Sequence, residues 1–377
     1  MKTQNSKFKV QNAVILFLIG LVFYGCITEY NPTGIEQLSD ILVVEGIISD
    51  DETVITLSRS QGVMEYIGIN YIDHARVYID CDDGTQWTAG PSSHMGRYTI
   101  KNGTLNPERK YRLRFEIEEI DYDNCISSWI GFGCPTAIYE YTSDYLHPIR
   151  TPEIDSVFWT KRGRGQPVMI NVATSSPNNS VMYYRWSYRE DWEINSEFLT
   201  SSRPYYCWNT ATNREMLLAS AERTVFGRIT DCIVEFDPWN RRFSVLYRID
   251  VKQNAVSKRA FDYFSNIKKN SEQTGSIFAP VPSEMRGNIT CTTDPARPVI
   301  GYVDVSSTTH KRRYIRPHEV YERPSSSCVL IHRDSLLAWN SFIPPNWVQT
   351  SNSVYYVEEI CADCTFWGTL LRPDDWP

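Results

Sequence analysis

The chain has 377 residues, 42% of them hydrophobic and 13% aromatic, which is enough apolar material for two domains or one large β domain. Its formal net charge is −7 at pH 7. An acidic protein cannot neutralise phosphates, so the composition argues against nucleic acid and anionic lipid headgroups as partners. Long stretches rich in Ala, Glu, Lys and Leu are absent, which excludes a helical bundle, and the scattered Pro and Gly suit short strands joined by turns.

The first 25 residues have the layout of an export signal. Lys2, Lys7 and Lys9 precede the apolar run AVILFLIGLVFYG, and no acidic residue is present. A run of about thirteen apolar residues is shorter than the roughly 18 that a membrane-spanning helix needs. The run ends in Gly25-Cys26, which resembles the lipobox of bacterial lipoproteins. We therefore predict that Cys26 is lipidated and becomes the first mature residue. The alternatives are an ordinary signal peptide and an uncleaved anchor.

Residues 26–40 lack an apolar period and are interpreted as a tether. A β domain is predicted to follow over residues 41–120, because strand-sized segments alternate with turn residues from ILVVEGIIS onward. Asp83-Gly84 marks one of these turns. The spacing predicts an antiparallel sandwich of about seven strands. The order of strands and turns resembles the Ig-like modules of extracellular bacterial proteins, so we expect a mostly β fold with an N-terminal Ig-like sandwich.

Residues 121–155 are predicted to be irregular, because Pro135, Pro148 and Pro152 discourage regular structure. Cys125 and Cys134 bracket a short loop that a disulfide would close. A loop that is pinned in this way loses little entropy on binding, and aromatic side chains suit stacking on a glycan or a peptide. The candidate ligand contacts are the aromatic residues of this region: Trp129, Phe132, Tyr139, Tyr141 and Tyr145.

Residues 156–377 are predicted to form a second β-rich domain with one docked helix. Segments such as VMINVAT and SVLYRIDVKQ have the character of strands. Residues 256–273 instead follow a helical period. The apolar residues on one stripe of that helix are Val256, Ala260, Tyr263, Phe264 and Ile267.

Two further segments each allow two interpretations. Tyr184, Trp186 and Tyr188 share one face of a predicted strand, which either packs the core or offers a stacking platform. The basic segment HKRRYIRPHEVYER, residues 310–323, is either a solvated hairpin tip or a docking patch for a partner.

The chain contains ten cysteines, and nine remain if Cys26 is lipidated. In an exported protein most of them should pair, and an odd number leaves at least one free. Besides the loop between Cys125 and Cys134, we expect a second disulfide set among Cys291, Cys328, Cys361 and Cys364. A four-cysteine zinc site is the alternative for this set, but only one CxxC pair is present, so no metal is predicted.

Several segments resemble the DUF4249 family of Bacteroidota lipoproteins. The resemblance begins with LVVEGIISDDETVITLSRS and continues through YYRWSYREDWE. It extends over KRAFDYFSNIKKNSEQTGSIFAPVPSEMRGNITC and PVIGYVDVSS to the C-terminal CADCTFWGTLLRPDDWP. Members have no established biochemistry and are commonly found beside TonB-dependent transporters, so the resemblance implies an accessory binding or uptake role. It implies no catalytic residues.

Enzyme motifs such as GxSxG, HExxH, GxGxxG and the P-loop are absent from the sequence. We therefore expect a non-enzymatic lipoprotein without a cofactor, anchored in the outer membrane on its periplasmic or cell-surface face. The expected partner is a TonB-dependent transporter, and the expected ligand is a glycan or a peptide. The alternatives are a structural or adhesive surface protein, with the Ig-like domain as a spacer, and a hydrolase with an unrecognised site.

Overall fold

The computed structural model describes residues 40–61, 68–120, 134–176, 180–224, 227–273, 287–324, 328–340, 342–352 and 354–377. Four of the predicted site residues therefore lie outside the described residues: Cys26, Cys125, Trp129 and Phe132. The described part is mostly β, as the sequence predicts. None of its helices is long and apolar enough to cross a membrane.

The strands of the described residues are, in chain order, β1 (Leu42–Ile48), β2 (Asp51–Arg59), β3 (Asn70–Tyr71), β4 (Arg76–Cys81), β5 (Gln86–Thr88), β6 (Arg97–Gly103), β7 (Tyr111–Ile120), β8 (Thr136–Ser143), β9 (Ile154–Lys161), β10 (Val168–Ser175), β11 (Tyr183–Asn195), β12 (Tyr206–Thr212), β13 (Leu217–Ser220), β14 (Arg228–Phe236), β15 (Leu246–Ala255), β16 (Ile289–Cys291), β17 (Val299–Gly301), β18 (Asp304–Val305), β19 (Thr308–Ile315), β20 (Ile331–His332), β21 (Trp347–Gln349) and β22 (Tyr355–Glu358). The α-helices of the same residues are α1 (Lys258–Gln273), α2 (Pro317–Val320), α3 (Arg333–Asn340) and α4 (Glu359–Ala362).

The first sandwich packs a six-stranded sheet (β1, β2, β3, β6, β17 and β18) against a five-stranded sheet (β4, β5, β7, β8 and β16). Along β2 and β7 alternate residues turn inward, as a period of two requires. Ile55 and Leu57 of β2 share one core with Leu113 and Phe115 of β7, and all four are fully buried. Each such side chain contributes about 1.5–3 kcal/mol to folding by leaving water.

The structure extends the first sandwich beyond residues 41–120 and corrects the prediction that residues 121–155 are irregular. β8 lies inside that region and pairs antiparallel with β7. Three more strands, β16 to β18, come from far later in the chain. β17 and β18 pair with β1 in parallel, so the sandwich is not purely antiparallel. A local period cannot reveal such pairs, because strands β9 to β15 of the second sandwich separate the partners in sequence.

The second sandwich packs β9, β10 and β14 against β11, β12, β13, β15 and β19. Tyr184 and Trp186 of β11 point into its core and are 0% and 2% exposed. The indole of Trp186 donates a hydrogen bond to Gln253 Oε1 at 2.7 Å, which satisfies its only polar atom. The stacking-platform interpretation of this strand face is therefore wrong, and its aromatic residues belong to the core.

The predicted docked helix is present as α1, which begins two residues inside the predicted start. Ser257 caps it, because its Oγ accepts a hydrogen bond from the Ala260 backbone nitrogen at 3.2 Å. The buried stripe includes predicted residues: Val256, Ala260, Tyr263 and Phe264. Ile47 of β1 and Tyr183 of β11 contribute to the same cluster, so α1 lies where the two sandwiches meet.

Residues 328–377, called here the C-terminal unit, form a smaller body beside the second sandwich. β20, β22 and β21 make a three-stranded sheet, and α4 packs against it. One disulfide, Cys328–Cys361, lies within the unit. A second one, Cys207–Cys364, ties the unit to β12 of the second sandwich. Both of these disulfides involve the C-terminal unit. The stability of this unit should therefore depend strongly on an oxidising environment.

Replacing Gly96 with alanine should destabilise the first sandwich by about 1–3 kcal/mol. Gly96 has a φ of 62°, and an added Cβ would lie 2.1 Å from the Leu57 carbonyl oxygen, so both the backbone and the space require glycine. Chemical denaturation of Gly96→Ala measures the loss. Gly163→Ala is the matched control, because nothing lies within 4 Å of its added Cβ. Equal midpoints for the two variants would contradict the prediction.

Candidate functional site

The structure does not bring the predicted aromatic contacts together as an exposed platform. Tyr141 lies on β8 opposite Phe115 and is 2% exposed, with the two rings stacked at 4.9 Å, so it is a core residue rather than a ligand contact. Tyr139 lies beneath the guanidinium of Arg297 at 3.3 Å. Tyr145 is exposed but lies beneath Arg112 at 4.6 Å. The prolines of this region led to the prediction of irregular structure, so β8 was not predicted. The pairing of β8 with β7 determines which of its aromatic side chains face the core.

A cavity of about 630 Å³ opens at one end of the first sandwich, close to Asp40, where the described chain begins. Glu119 forms ion pairs with both Arg59 and Arg297 at its wall. Burial raises the pKa of Tyr141, which also lines the cavity, to about 12. The two arginines of the cavity wall are therefore already paired with Glu119, and the exposed Glu118 adds a further acid to the lining.

A second cavity, called here the interdomain cleft, has a volume of about 450 Å³ and lies between the two sandwiches. Its floor is the outer face of the sheet formed by β11, β15 and β19. Register places Arg185 opposite Asn254 and Asn254 opposite Thr308, so these three form one row across the sheet. The next row on the same face consists of Ser187, Lys252 and His310.

The polar floor follows from strand alternation. Trp186, Gln253 and Thr309 lie between the two rows, and all three are buried on the core side. Their neighbours in sequence must therefore face outward, toward the first sandwich. The opposite wall of the cleft comes from β1, β6 and the β1–β2 turn, with Asp50, Asp51, Glu52 and Arg97 among its residues. The Ser49 and Thr308 hydroxyls form a hydrogen bond at 2.6 Å, which joins the floor to the opposite wall at one end of the cleft.

Arg185 is the most unusual residue of the interdomain cleft. Its guanidinium lies over the ring of Phe264 at 4.8 Å, and it forms no hydrogen bond or ion pair with the described residues. Burial lowers the pKa of Arg185, and the charge of Glu45 opposes that shift only in part. An arginine that is crowded by protein yet lacks a carboxylate partner is energetically unfavourable, so the cleft holds a cation available to a ligand.

His310 adds a titratable group to the same floor. Burial lowers its pKa, and the positive charge of Lys252 lowers it further, while Asp250 and Glu153 oppose the change. His310 is therefore neutral at physiological pH and can accept or donate a hydrogen bond within the cleft. The sequence analysis included His310 only as part of the basic segment 310–323 and did not predict a role for it in a cleft.

That basic segment, residues 310–323, is not a hairpin tip, and its role as a docking patch stays a prediction. It forms most of β19 and the short helix α2. Arg312 pairs with Asp250 at 2.6 Å, and Arg313 pairs with Glu319 at 2.9 Å. These ion pairs neutralise two of its arginines.

The cysteines follow the expected set only in part. Cys328 pairs with Cys361, and Cys364 pairs with Cys207, a partner that the sequence did not single out. Cys291 is a correction, because it is buried and free in β16 of the first sandwich. Cys134 is disulfide-bonded, and its partner lies outside the described residues.

The zinc alternative for this cysteine set is excluded by these pairings, because Cys361 and Cys364 have different partners. Among the described ranges, no group of three or more His, Cys, Asp or Glu is placed to hold a metal ion.

Comparison with known families gives one match. The family model described as Domain of unknown function (DUF4249) matches residues 27–123 and 136–312, which is well over half of the chain. The first sandwich, the interdomain cleft and the second sandwich up to the middle of β19 lie within the matched ranges. No curated protein matches the chain.

Proposed function

From the premise that the chain belongs to the DUF4249 family, whose description assigns no function, we propose that it is a lipid-anchored, non-enzymatic lipoprotein that binds a small ligand for a TonB-dependent uptake system. The leader ending in Gly25-Cys26 supports export and anchoring in the outer membrane. The disulfides support the same compartment, since such bonds persist in oxidising environments.

The observation that carries the binding role is the interdomain cleft with its unpaired Arg185. Ligand sites occur preferentially where domains meet, as clefts with a few convergent polar groups. The cleft has this position, and its floor presents the cations Arg185 and Lys252, an imidazole and neutral hydrogen-bonding groups on a rigid sheet. Rigid strands hold these groups in place before a ligand arrives, which lowers the entropy cost of binding.

Exposed apolar side chains of the C-terminal unit support docking on a protein partner. Trp339 is 72% exposed and Leu371 is 80% exposed, although large apolar residues normally avoid water. Others on the same unit are Val329, Phe342, Phe366 and Leu370. Since the chain is acidic, apolar contact with a transporter is a more suitable mode of docking than electrostatic attachment to anionic lipid.

Replacing Cys26 with alanine should release the protein from the membrane and remove its transporter from pull-downs. Full-length wild type and Cys26→Ala are expressed in a Bacteroidota host, and the modification of residue 26 is identified by mass spectrometry together with copurifying proteins. Wild type should carry an acylated Cys26 and bring down a TonB-dependent barrel.

Cys232→Ala is the control, because Cys232 is free and exposed and should not affect anchoring. An unlipidated, soluble wild type without a barrel would contradict the anchor and the transport role together.

A further inference from the structure

We propose that the interdomain cleft binds its ligand through a carboxylate that pairs with the guanidinium of Arg185. This inference rests on the binding role proposed above and names the chemistry of the ligand. The favoured source of the carboxylate is the C-terminus of a short peptide, and the other source is an acidic sugar.

The first step of the argument compares Arg185 with the other arginines of β11 and its neighbouring strand. Arg248 lies on β15 and pairs with the carboxylate of Asp191 at 2.7 Å. Arg189 lies on the same strand as Arg185 and also pairs with Asp191, at 3.1 Å. Arg185 has no such partner among the described residues, although Phe264 covers one side of its guanidinium. Compared with Arg248 and Arg189, Arg185 lacks a carboxylate partner. A guanidinium binds a carboxylate through two parallel hydrogen bonds.

The second step concerns the groups beside Arg185 on the sheet. Asn254 and Thr308 complete its row, and Ser187 lies two residues further along β11 on the same face. Asn254 Nδ2 donates to Thr308 Oγ1 at 2.7 Å, which orients this pair and leaves Asn254 Oδ1 as an acceptor at the floor. These neutral groups do not neutralise the charge of Arg185. They can form hydrogen bonds with the polar groups of a ligand other than its carboxylate.

The third step concerns the opposite wall. Asp51 and Glu52 are exposed at the start of β2 and form no ion pair with described residues. A ligand with a carboxylate at one end and an ammonium group at the other would match the cations Arg185 and Lys252 on the floor and the acids on the wall. A short peptide has this distribution of charge, whereas an acidic sugar has only the carboxylate. A cleft volume of about 450 Å³ lies within the range of small-ligand sites.

Isothermal calorimetry on the full-length protein in detergent tests the inference with three probes: triglycine, triglycinamide and digalacturonate. Triglycine should bind, and both amidation of the peptide and Arg185→Gln should weaken binding about tenfold or more, which corresponds to about 1.4 kcal/mol. Arg214→Gln, at an exposed arginine outside the cleft, should leave the affinity unchanged.

A melting temperature for each variant separates binding from folding. Because the charge of Arg185 lacks a partner, Arg185→Gln should melt at the same temperature as wild type or higher, while it loses the ligand. Binding of digalacturonate alone, with the same dependence on Arg185, would support the carboxylate and assign it to a sugar.

Two outcomes would overturn the inference: neither acid binds at millimolar concentration, or the affinity for the acid that binds is the same in Arg185→Gln. The assay uses purified protein without a transporter. Failure of the anchor or of the transporter partnership would therefore leave this result intact, and the two proposals can fail separately.

Discussion

Replacing Asp191 with alanine is expected to lower the free energy of unfolding by about 3–5 kcal/mol, because it leaves a buried cation without its main partner. Asp191 is 0% exposed, and its Oδ2 accepts a hydrogen bond from Arg248 Nη2 at 2.7 Å. Thr210 donates to its other oxygen at 2.6 Å. Arg248, which is 2% exposed, would keep Asp250 at 3.5 Å, carbonyl groups of the C-terminal tail and the ring of Trp376 at 5.3 Å, but no carboxylate as close as that of Asp191. Urea denaturation of the purified protein measures the change.

The same carboxylate predicts how this difference depends on pH. Burial alone would raise the pKa of Asp191, but hydrogen bonds from Thr210 and Arg248 and the positive charge of Arg248 outweigh it, so the pKa lies below its ordinary value. The stabilisation is therefore fully present above the ordinary carboxyl pKa and is lost as the pH falls through the lowered value. The stabilities of wild type and Asp191→Ala should converge in acid.

Asp262→Ala is the matched control for Asp191→Ala. Asp262 pairs with Lys258 on the exposed surface of α1, where water screens the charges, and little change is expected. If Asp191→Ala were no more destabilising than Asp262→Ala, the buried cluster would not be a main support of the second sandwich.

Removal of the Cys207–Cys364 disulfide is expected to cost about 2–5 kcal/mol. The bond closes a sequence separation of 157 residues, so its loss greatly increases the freedom of the unfolded chain. It is also the covalent link between the second sandwich and the C-terminal unit. The double variant Cys207→Ser/Cys364→Ser, compared with wild type by denaturation without reductant, measures the loss.

Cys232→Ser controls for the loss of a cysteine as such, because Cys232 is exposed and unpaired. Adding reductant should bring wild type down toward the double variant and leave Cys232→Ser close to wild type under the same conditions. A double variant as stable as Cys232→Ser would show that the C-terminal unit is held by packing alone.

Local patterns in the sequence were sufficient for elements whose partners lie nearby. The stripe from Val256 to Ile267 predicted α1 within two residues, because a helix satisfies its backbone internally and shows its buried face in the spacing. β1 and β2 were predicted from the β-branched run ILVVEGIIS and its hairpin partner VITLSRS, and they pair as an antiparallel hairpin. β8 was missed, because prolines flank it and its burial does not alternate.

The interdomain cleft could not be predicted, because it depends on register between strands far apart in the chain. No local pattern in the sequence distinguishes Arg185, Asn254 and Thr308 from other polar residues of strands. Only the pairing of β11 with β15 and of β15 with β19 places them in one row. The aromatic residues near Tyr141 attracted attention instead, since aromatic composition alone does not distinguish a core strand from a binding loop.

The parallel pairing of β1 with β17 and β18 has a consequence for how the chain folds as it is synthesised. Synthesis begins at the N-terminus, so β1 and β2 are complete well before the residues that finish their sheet. Until residues 299–305 follow, one edge of β1 has unsatisfied backbone groups that can pair with other chains. The first sandwich therefore reaches its final form only after most of the second sandwich, β9 to β15, has been synthesised. During this interval the unpaired edge of β1 makes the chain prone to aggregation, and chaperones would be needed most.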